Sequence, residues 1–502
     1  MEEVKTKTYW QNMYDISADK LYEGLLGYGM FCEKLPQVFT SRYFYDYCKK
    51  NDSTFQNKNY DFIRYNSIRN TKAIRMFGIP TPMAYQNLCK FLSEHWEEIC
   101  EYFRNKTEQC CYKVSRIHIR KRKNSHSLFK MNYSNWRYDG TVKADLRISK
   151  RYLVKADISN CFPSLYTHAI PWALVGKNAA KGNKKSKEWW NQIDKITRNC
   201  KFGETHGLLI GPHASNLLAE IVLVAIDKVL VDMGYKFIRH IDDYTCFTDS
   251  LADAYKFIHD LSTELEKYDL ALNNKKTKIE ELPTEMNPKW QRIVKRTDRY
   301  NINGQFNHDS AVMYFDEIIE LIKEYGDIAI ANYAIKALPR VMTEQAKQYC
   351  VKISMHLALN YPYLVTILDE QVFGKFDVPK RIVECFVNEL YKREIENRNY
   401  EGVSYAVYFA IKYDVRINNI DVEDVINSPS CIMKILAYLY YEQNNRTDDI
   451  IQLENHANRL SKEDFERNWI FVYEVLSAKE LSGDWKELKK AGVSFIDKTS
   501  PW

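Results

Sequence analysis

Phe237-Ile-Arg-His-Ile-Asp242-Asp243-Tyr244 is the stretch whose reading decides the fold. Lys236–Ile241 and Tyr244–Phe247 are short runs rich in β-branched and aromatic residues, so the segment reads as a tight hairpin with two carboxylates at its tip. Adjacent carboxylates flanked by Phe237, Ile238 and Ile241 repel each other, and a bound cation relieves the repulsion. Taken alone, an exposed Asp-rich β-turn fits the pair equally well.

Working outward, Tyr152-Leu-Val-Lys-Ala-Asp157-Ile158 reads as a buried strand, and Pro212–Val231 as a helix. An ionised Asp157 at the end of such a strand is costly unless it is paired or metal-bound. Phosphoryl transfer needs charge neutralised on both the attacking and the leaving oxygen, and two divalent ions ~3.5–4 Å apart, clamped by shared carboxylates, do this. Mg²⁺ takes hard oxygen ligands and keeps several waters, so two or three aspartates suffice.

Four segments carry a family resemblance. Val154-Lys-Ala-Asp157-Ile-Ser-Asn-Cys-Phe162-Pro-Ser-Leu-Tyr166 resembles the first palm motif of reverse transcriptases. Gly207-Leu-Leu-Ile-Gly-Pro-His-Ala-Ser215-Asn-Leu-Leu-Ala-Glu220 resembles the loop and helix that hold template and incoming nucleotide. Phe237–Tyr244 resembles the catalytic hairpin, and Leu272-Asn273-Asn-Lys-Lys276-Thr277 the Leu-Asn-x-x-Lys-Thr motif that follows it. One departure is His240, where the family usually carries Tyr or Phe; it removes no metal ligand.

The resemblance implies that Asp157 and Asp242 bind both metals, Mg²⁺ or Mn²⁺, with Asp243 in support and the Ile158 carbonyl completing one shell. It places the incoming dNTP against Ser159, Asn160, Cys161, Phe162, Ile210, Gly211 and Lys276. Backbone N–H groups after Asp157 would hold triphosphate oxygens, and Gly211 would let the backbone approach the nucleotide. Phe162 sits where the family places the ring that blocks a ribose 2′-OH, although a plain core aromatic fits that position too. Lys276 is a candidate charge stabiliser for departing pyrophosphate or a solvated loop lysine.

Three textures divide the chain: an aromatic and basic, helical-looking part to about residue 110, a mixed strand and helix part to about 300, and helix after helix from about 305. Ile79-Pro-Thr-Pro-Met83 marks an extended turn before an amphipathic helix through Tyr85, Leu88, Leu92 and Trp96. Val114–Ile119 alternates like a strand before a polar turn at Lys123-Asn-Ser125. The expected fold is α+β: reverse-transcriptase palm and fingers with a helical N-terminal part in residues 1–305, and an all-α, HEAT-like helical-repeat domain in residues 306–502.

Ile68–Tyr85 is similar to the N-terminal region of bacterial defence reverse transcriptases, and the all-helical C-terminal part resembles the abortive-infection group, which includes AbiK, AbiA and the P2-type prophage enzyme. That similarity implies antiphage defence, homo-oligomers, and template-independent DNA synthesis primed by a tyrosine, with single-stranded product attached to the protein. The N-terminal tyrosines are Tyr9, Tyr14, Tyr22, Tyr28, Tyr43, Tyr45 and Tyr47, and nothing in the sequence chooses among them. The rival reading is a template-copying RNA-directed DNA polymerase of the retron or group II intron type, which would carry a recognisable thumb or maturase segment. Phe162 argues against an RNA-dependent RNA polymerase, and the three carboxylates argue against an inactive binding scaffold.

Composition excludes other classes. The 502 residues are 45% hydrophobic and 27% charged, ordinary for a globular protein, with a net charge of +6. Arg116–Lys123 and Lys181–Lys187 are basic runs suited to phosphate contacts or to plain solvation. The 12 cysteines include no CxxC pair and no zinc spacing, which fits a reduced cytoplasmic protein. The longest apolar stretch, Leu217–Leu230, is interrupted by Glu220 and Asp227, and the N-terminus lacks the apolar run of a signal peptide, so no membrane association is expected. No nuclease, protease or RNase H constellation is recognisable.

Overall fold

A computed structural model describes residues 7–115, 120–121, 129–130, 142–182, 188–300 and 305–497. The basic run Arg116–Lys123 and the turn at Lys123–Ser125 lie almost wholly outside these residues, as do 183–187 of the second basic run.

The central sheet is antiparallel, in the order β6 (Lys236–His240), β7 (Asp243–Thr248), β5 (Tyr152–Asp157), β8 (Lys278–Glu281). Side chains alternate across it as the two-residue period demands. Val154, Ala156, Phe237, Tyr244 and Cys246 enter the main core, whereas Leu153, Ile238 and Phe247 gather with Leu146 on the other face. The helices His213–Asp232 and Leu251–Glu266 pack together, the second lying against β5 and β7. His213–Asp232 is apolar nearly all round, and 15 of its 20 residues are buried.

The N-terminal part is mostly helical, as expected, and also carries two strands. Phe62–Ile68 (β1) and Ile74–Pro80 (β2) form an antiparallel hairpin, paired from Phe62↔Pro80 to Ile68↔Ile74. β2 stops at Pro80, and helix Pro82–Glu94 begins with Pro at its first position, where no N–H is needed. The Gly78 N–H donates to the Ile210 carbonyl at 2.9 Å, tying the hairpin to the loop before His213–Asp232. A two-residue ladder joins β3 (Arg120–Lys121) and β4 (Phe129–Lys130).

After residue 305 every described helix or strand is a helix, from His308–Tyr325 to Gly483–Lys490. Neighbours in sequence pack on one another, as do Lys380–Glu396 with Tyr400–Lys412 and Tyr400–Lys412 with Cys431–Gln443. The run then curls back: Phe495 packs among Phe31, Phe44 and Trp469, and the Thr40 N–H donates to its carbonyl at 2.9 Å. Among the described residues no helix is long and apolar enough to cross a membrane.

Candidate active site

Strand pairing brings the three aspartates together. β5 and β7 are in register with Asp157 opposite Asp243, and β6 and β7 close with His240 opposite Asp243, leaving Ile241 and Asp242 as the turn. One ligand oxygen from each of Asp157, Asp242 and Asp243 lies within 4.8 Å of the others. Asp157 is buried, Asp242 half-buried and Asp243 exposed. The Ile158 N–H donates to the Asp242 carbonyl at 3.0 Å, locking the turn to the end of β5.

Charge is concentrated here without full compensation. Burial pushes the Asp242 carboxyl above the usual range and the Asp157 charge adds to this, while Lys276 and Arg75 oppose it. Asp243 is exposed as a whole residue, but its carboxyl end is desolvated beside Asp157 and Asp242, and this, followed by the Asp242 charge, pushes it up to about 7. The Lys276 ammonium donates to Asp157 Oδ2 at 2.9 Å and the Asn273 side-chain amide to Asp157 Oδ1 at 3.0 Å. A set of three hard carboxylate oxygens held against their own repulsion fits a divalent ion of the Mg²⁺ or Mn²⁺ kind.

The other residues singled out from the sequence surround this cluster. Phe162 is half-buried on the short helix Cys161–Ser164, and its carbonyl accepts from the Leu208 N–H at 2.8 Å. The backbone after Asp157 is partly committed, since the Ile158 N–H serves Asp242 and the Ser159 N–H donates to the Ala271 carbonyl at 2.8 Å. Asn160 turns the chain at φ 45°, just before Cys161. Gly211 has φ 125°, and a Cβ there would meet Cys32 Cβ at 3.1 Å, so its lack of a side chain also serves the packing of palm loop on fingers.

Arg75, on β2, was not singled out from the sequence, yet its charge acts on Asp242 and it neighbours Arg69. The signal was the basic pair Arg69 and Arg75 within a stretch that folds into a hairpin. Of the N-terminal tyrosines, Tyr9 and Tyr45 are buried, Tyr14 is exposed and the other four are half-buried. The Tyr9 hydroxyl donates to Glu220 at 3.0 Å, and burial holds it far above the ordinary phenol range.

No curated protein matches the sequence. Among solved structures, apo telomerase from Candida tropicalis is similar at 12% identity over 74% of this chain and 70% of that one, with a TM-score of 0.34. The same telomerase truncated from its C-terminal domain gives 16% identity and a TM-score of 0.29 over 48% of this chain, which spans 55% of that relative's length. Candida albicans telomerase in complex with a fragment of telomeric RNA gives 12% identity over 78% of this chain and 70% of that one, with a TM-score of 0.30. The family model for reverse transcriptase (RNA-dependent DNA polymerase) matches residues 69–356, a span that contains the whole carboxylate site. With more than half its length so matched, the chain belongs to the reverse transcriptase family, whose members are nucleotidyltransferases that make DNA.

Proposed function

We propose that the chain adds dNTPs to a DNA strand by two-metal phosphoryl transfer at Asp157, Asp242 and Asp243. The observation that carries this is the gathering of three carboxylates within 4.8 Å on β5 and the β6–β7 turn. Asp157 and Asp242 would hold both ions, with Asp243 and the Ile158 carbonyl in support. Bound there, the ions would activate the attacking oxygen and neutralise the leaving one. In this reading Arg75 would bind triphosphate oxygens, Lys276 would offset charge on the departing pyrophosphate, and Phe162 would exclude a 2′-hydroxyl. Gly211, Ile210 and the N–H groups of residues 160–162 complete the nucleotide pocket in this reading.

The biological setting we infer is antiphage defence by a protein-primed, template-independent enzyme in a homo-oligomer, with product single-stranded DNA left on a tyrosine. Support comes from the described residues after 305, where every helix or strand is a helix, and from 12 cysteines that are all free, as in a reducing cytoplasm. Exposed Tyr14 is the first primer candidate to test, and buried Tyr9 and Tyr45 are the last. We place the domain boundary near residue 305, before the Asn307 cap of helix His308–Tyr325.

The test is incubation with labelled dNTPs and Mg²⁺ or Mn²⁺ without added nucleic acid, followed by denaturing gels. Label that migrates with the protein is expected, and its absence unless a template is supplied would favour the template-copying reading. Asp242→Asn should abolish incorporation while the fold survives, because a metal clamp contributes several kcal/mol at the transition state.

A further inference from the structure

Beneath the carboxylates lies a charged cluster that the chemistry above does not use. Arg239 has 0% of its surface exposed, Glu220 3% and Asp227 4%. Glu220 and Asp227 stand about two turns apart on helix His213–Asp232 and so share a face. They clasp the guanidinium from both sides. Nε donates to Asp227 Oδ2 at 2.9 Å and Nη2 to the same oxygen at 2.6 Å, while Nη1 and Nη2 donate to Glu220 at 3.0 and 3.2 Å. The remaining hydrogen of Nη1 goes to the Ile241 carbonyl at 2.9 Å, so all five guanidinium donors are engaged. The hydroxyls of Tyr9 and Ser115 donate to Glu220, which joins the N-terminal helix Tyr9–Tyr14 to the cluster.

Three buried charges are a poor device for stability, since apolar residues of equal volume often do as well. The bond to Ile241 points to another role. Ile241 opens the two-residue turn at φ 56°, and a β-branched side chain in the left-handed region costs on the order of 1–3 kcal/mol. Such a conformation persists only where the surroundings over-determine it. Arg239 supplies that constraint, because it spans from a rigid buried helix to the carbonyl directly before Asp242.

We propose that Arg239, clasped by Glu220 and Asp227, is a positioning residue that holds the Ile241 carbonyl and thereby sets the direction in which Asp242 and Asp243 present their carboxylates. This rests on the reading of those aspartates as the metal-binding set. Lysine at 239 would keep the charge but offer three donors from one point, too few for both carboxylates and the turn.

The experiment measures kcat, KM for dNTP, the Mg²⁺ concentration for half-maximal activity and the melting temperature in five variants: Arg239→Lys, Ile241→Gly, the two combined, Tyr9→Phe and Asp242→Asn. Arg239→Lys should lower kcat on the order of a hundredfold, the scale of a misplaced reacting geometry, and raise the Mg²⁺ requirement while KM for dNTP stays near wild type. Ile241→Gly adopts the turn without strain, so in the Arg239→Lys background it should restore part of the lost kcat. A folded Arg239→Lys enzyme with wild-type kcat and Mg²⁺ dependence overturns the proposal, as does a double variant whose losses simply multiply. Should Arg239→Lys not fold, Tyr9→Phe decides: it removes one donor to Glu220 and keeps its ring against Phe103, so a several-fold fall in kcat at unchanged KM supports the proposal and wild-type kcat overturns it. Asp242→Asn tests the underlying reading separately, since activity there would sink the metal site whatever Arg239 does.

Discussion

Asp243 is the residue where the site's electrostatics become measurable. A carboxyl held near 7 by burial and by Asp242 keeps a proton near neutrality in the metal-free protein. Divalent ions bind the ionised form, so binding at about pH 6 should release about one proton and binding at about pH 8.5 almost none. Calorimetric Mn²⁺ titrations in buffers of different ionisation enthalpy read this directly, and equal release at both pH values would contradict it. A second residue-scale expectation concerns Phe162. Phe162→Ala should let NTPs compete with dNTPs, measured as the ratio of their kcat/KM values, and equal use of both sugars by the wild type would remove the role given to the ring. The three aspartates stood out in sequence through the four motifs around them, since the carboxylate pair alone fits an exposed turn equally well. Arg75 was not, because its approach to Asp242 exists only once β1 and β2 have paired.

Among the elements, Gly207 shows how tightly the nucleotide side is built. The segment 205–208 runs beside 162–167, with the Gly207 N–H donating to the Leu165 carbonyl at 3.1 Å and the Thr167 N–H to the Thr205 carbonyl at 2.9 Å. Gly207 has φ 83°, and a Cβ there would meet the Pro163 carbonyl oxygen at 2.5 Å. Gly207→Ala should therefore cost about 1–3 kcal/mol and weaken sugar discrimination together, by displacing the helix that carries Phe162. Thermal melts and the dNTP-to-NTP ratio check both; a destabilised enzyme with intact discrimination would uncouple the two segments. β5, the β6–β7 hairpin and the helix expected at Pro212–Val231 stand within a residue or two of their sequence readings, since each is long or strongly patterned. The β1–β2 hairpin escaped. β1 alternates buried and exposed from Ile63 to Ser67, but only Ile63 and Tyr65 of that buried set are apolar, and β2 exposes Ile74 and Met76, so the apolar signal of each strand is short. β8 escaped too, because Lys278-Ile-Glu-Glu281 holds one apolar residue and is fixed by its partner β5.

Over the whole molecule the C-terminal helices meet the fingers along the full length of β1, a set of contacts between distant residues that no local pattern announces. The Asn70 amide donates to Asp327 at 2.9 Å near the hairpin tip, the Ile68 N–H to Glu401 at 2.8 Å, and Arg467 to Asp61 at 2.6 Å at the base. Tyr65 and Tyr405 share the Lys34 carbonyl between the last two. Glu401 is expected to make this seam sensitive to pH. Burial pushes its carboxyl up to about 7, against hydrogen bonds from Ser67 and Ile68 and the charge of Lys34, with Glu394 adding slightly to the rise. A carboxyl raised on folding binds more protons in the native state than in the unfolded one between about 4.5 and 7. Its stabilising share is complete below that window and is lost as pH climbs through it, by up to roughly 3 kcal/mol. Glu401→Gln keeps an oxygen for the Ile68 N–H and removes the charge. It should flatten the melting temperature between about pH 5 and pH 8 and leave the variant more stable than wild type at the upper end. Parallel pH profiles for the two proteins would show that Glu401 titrates alike in the folded and unfolded chain and would remove the pH sensitivity given to the seam.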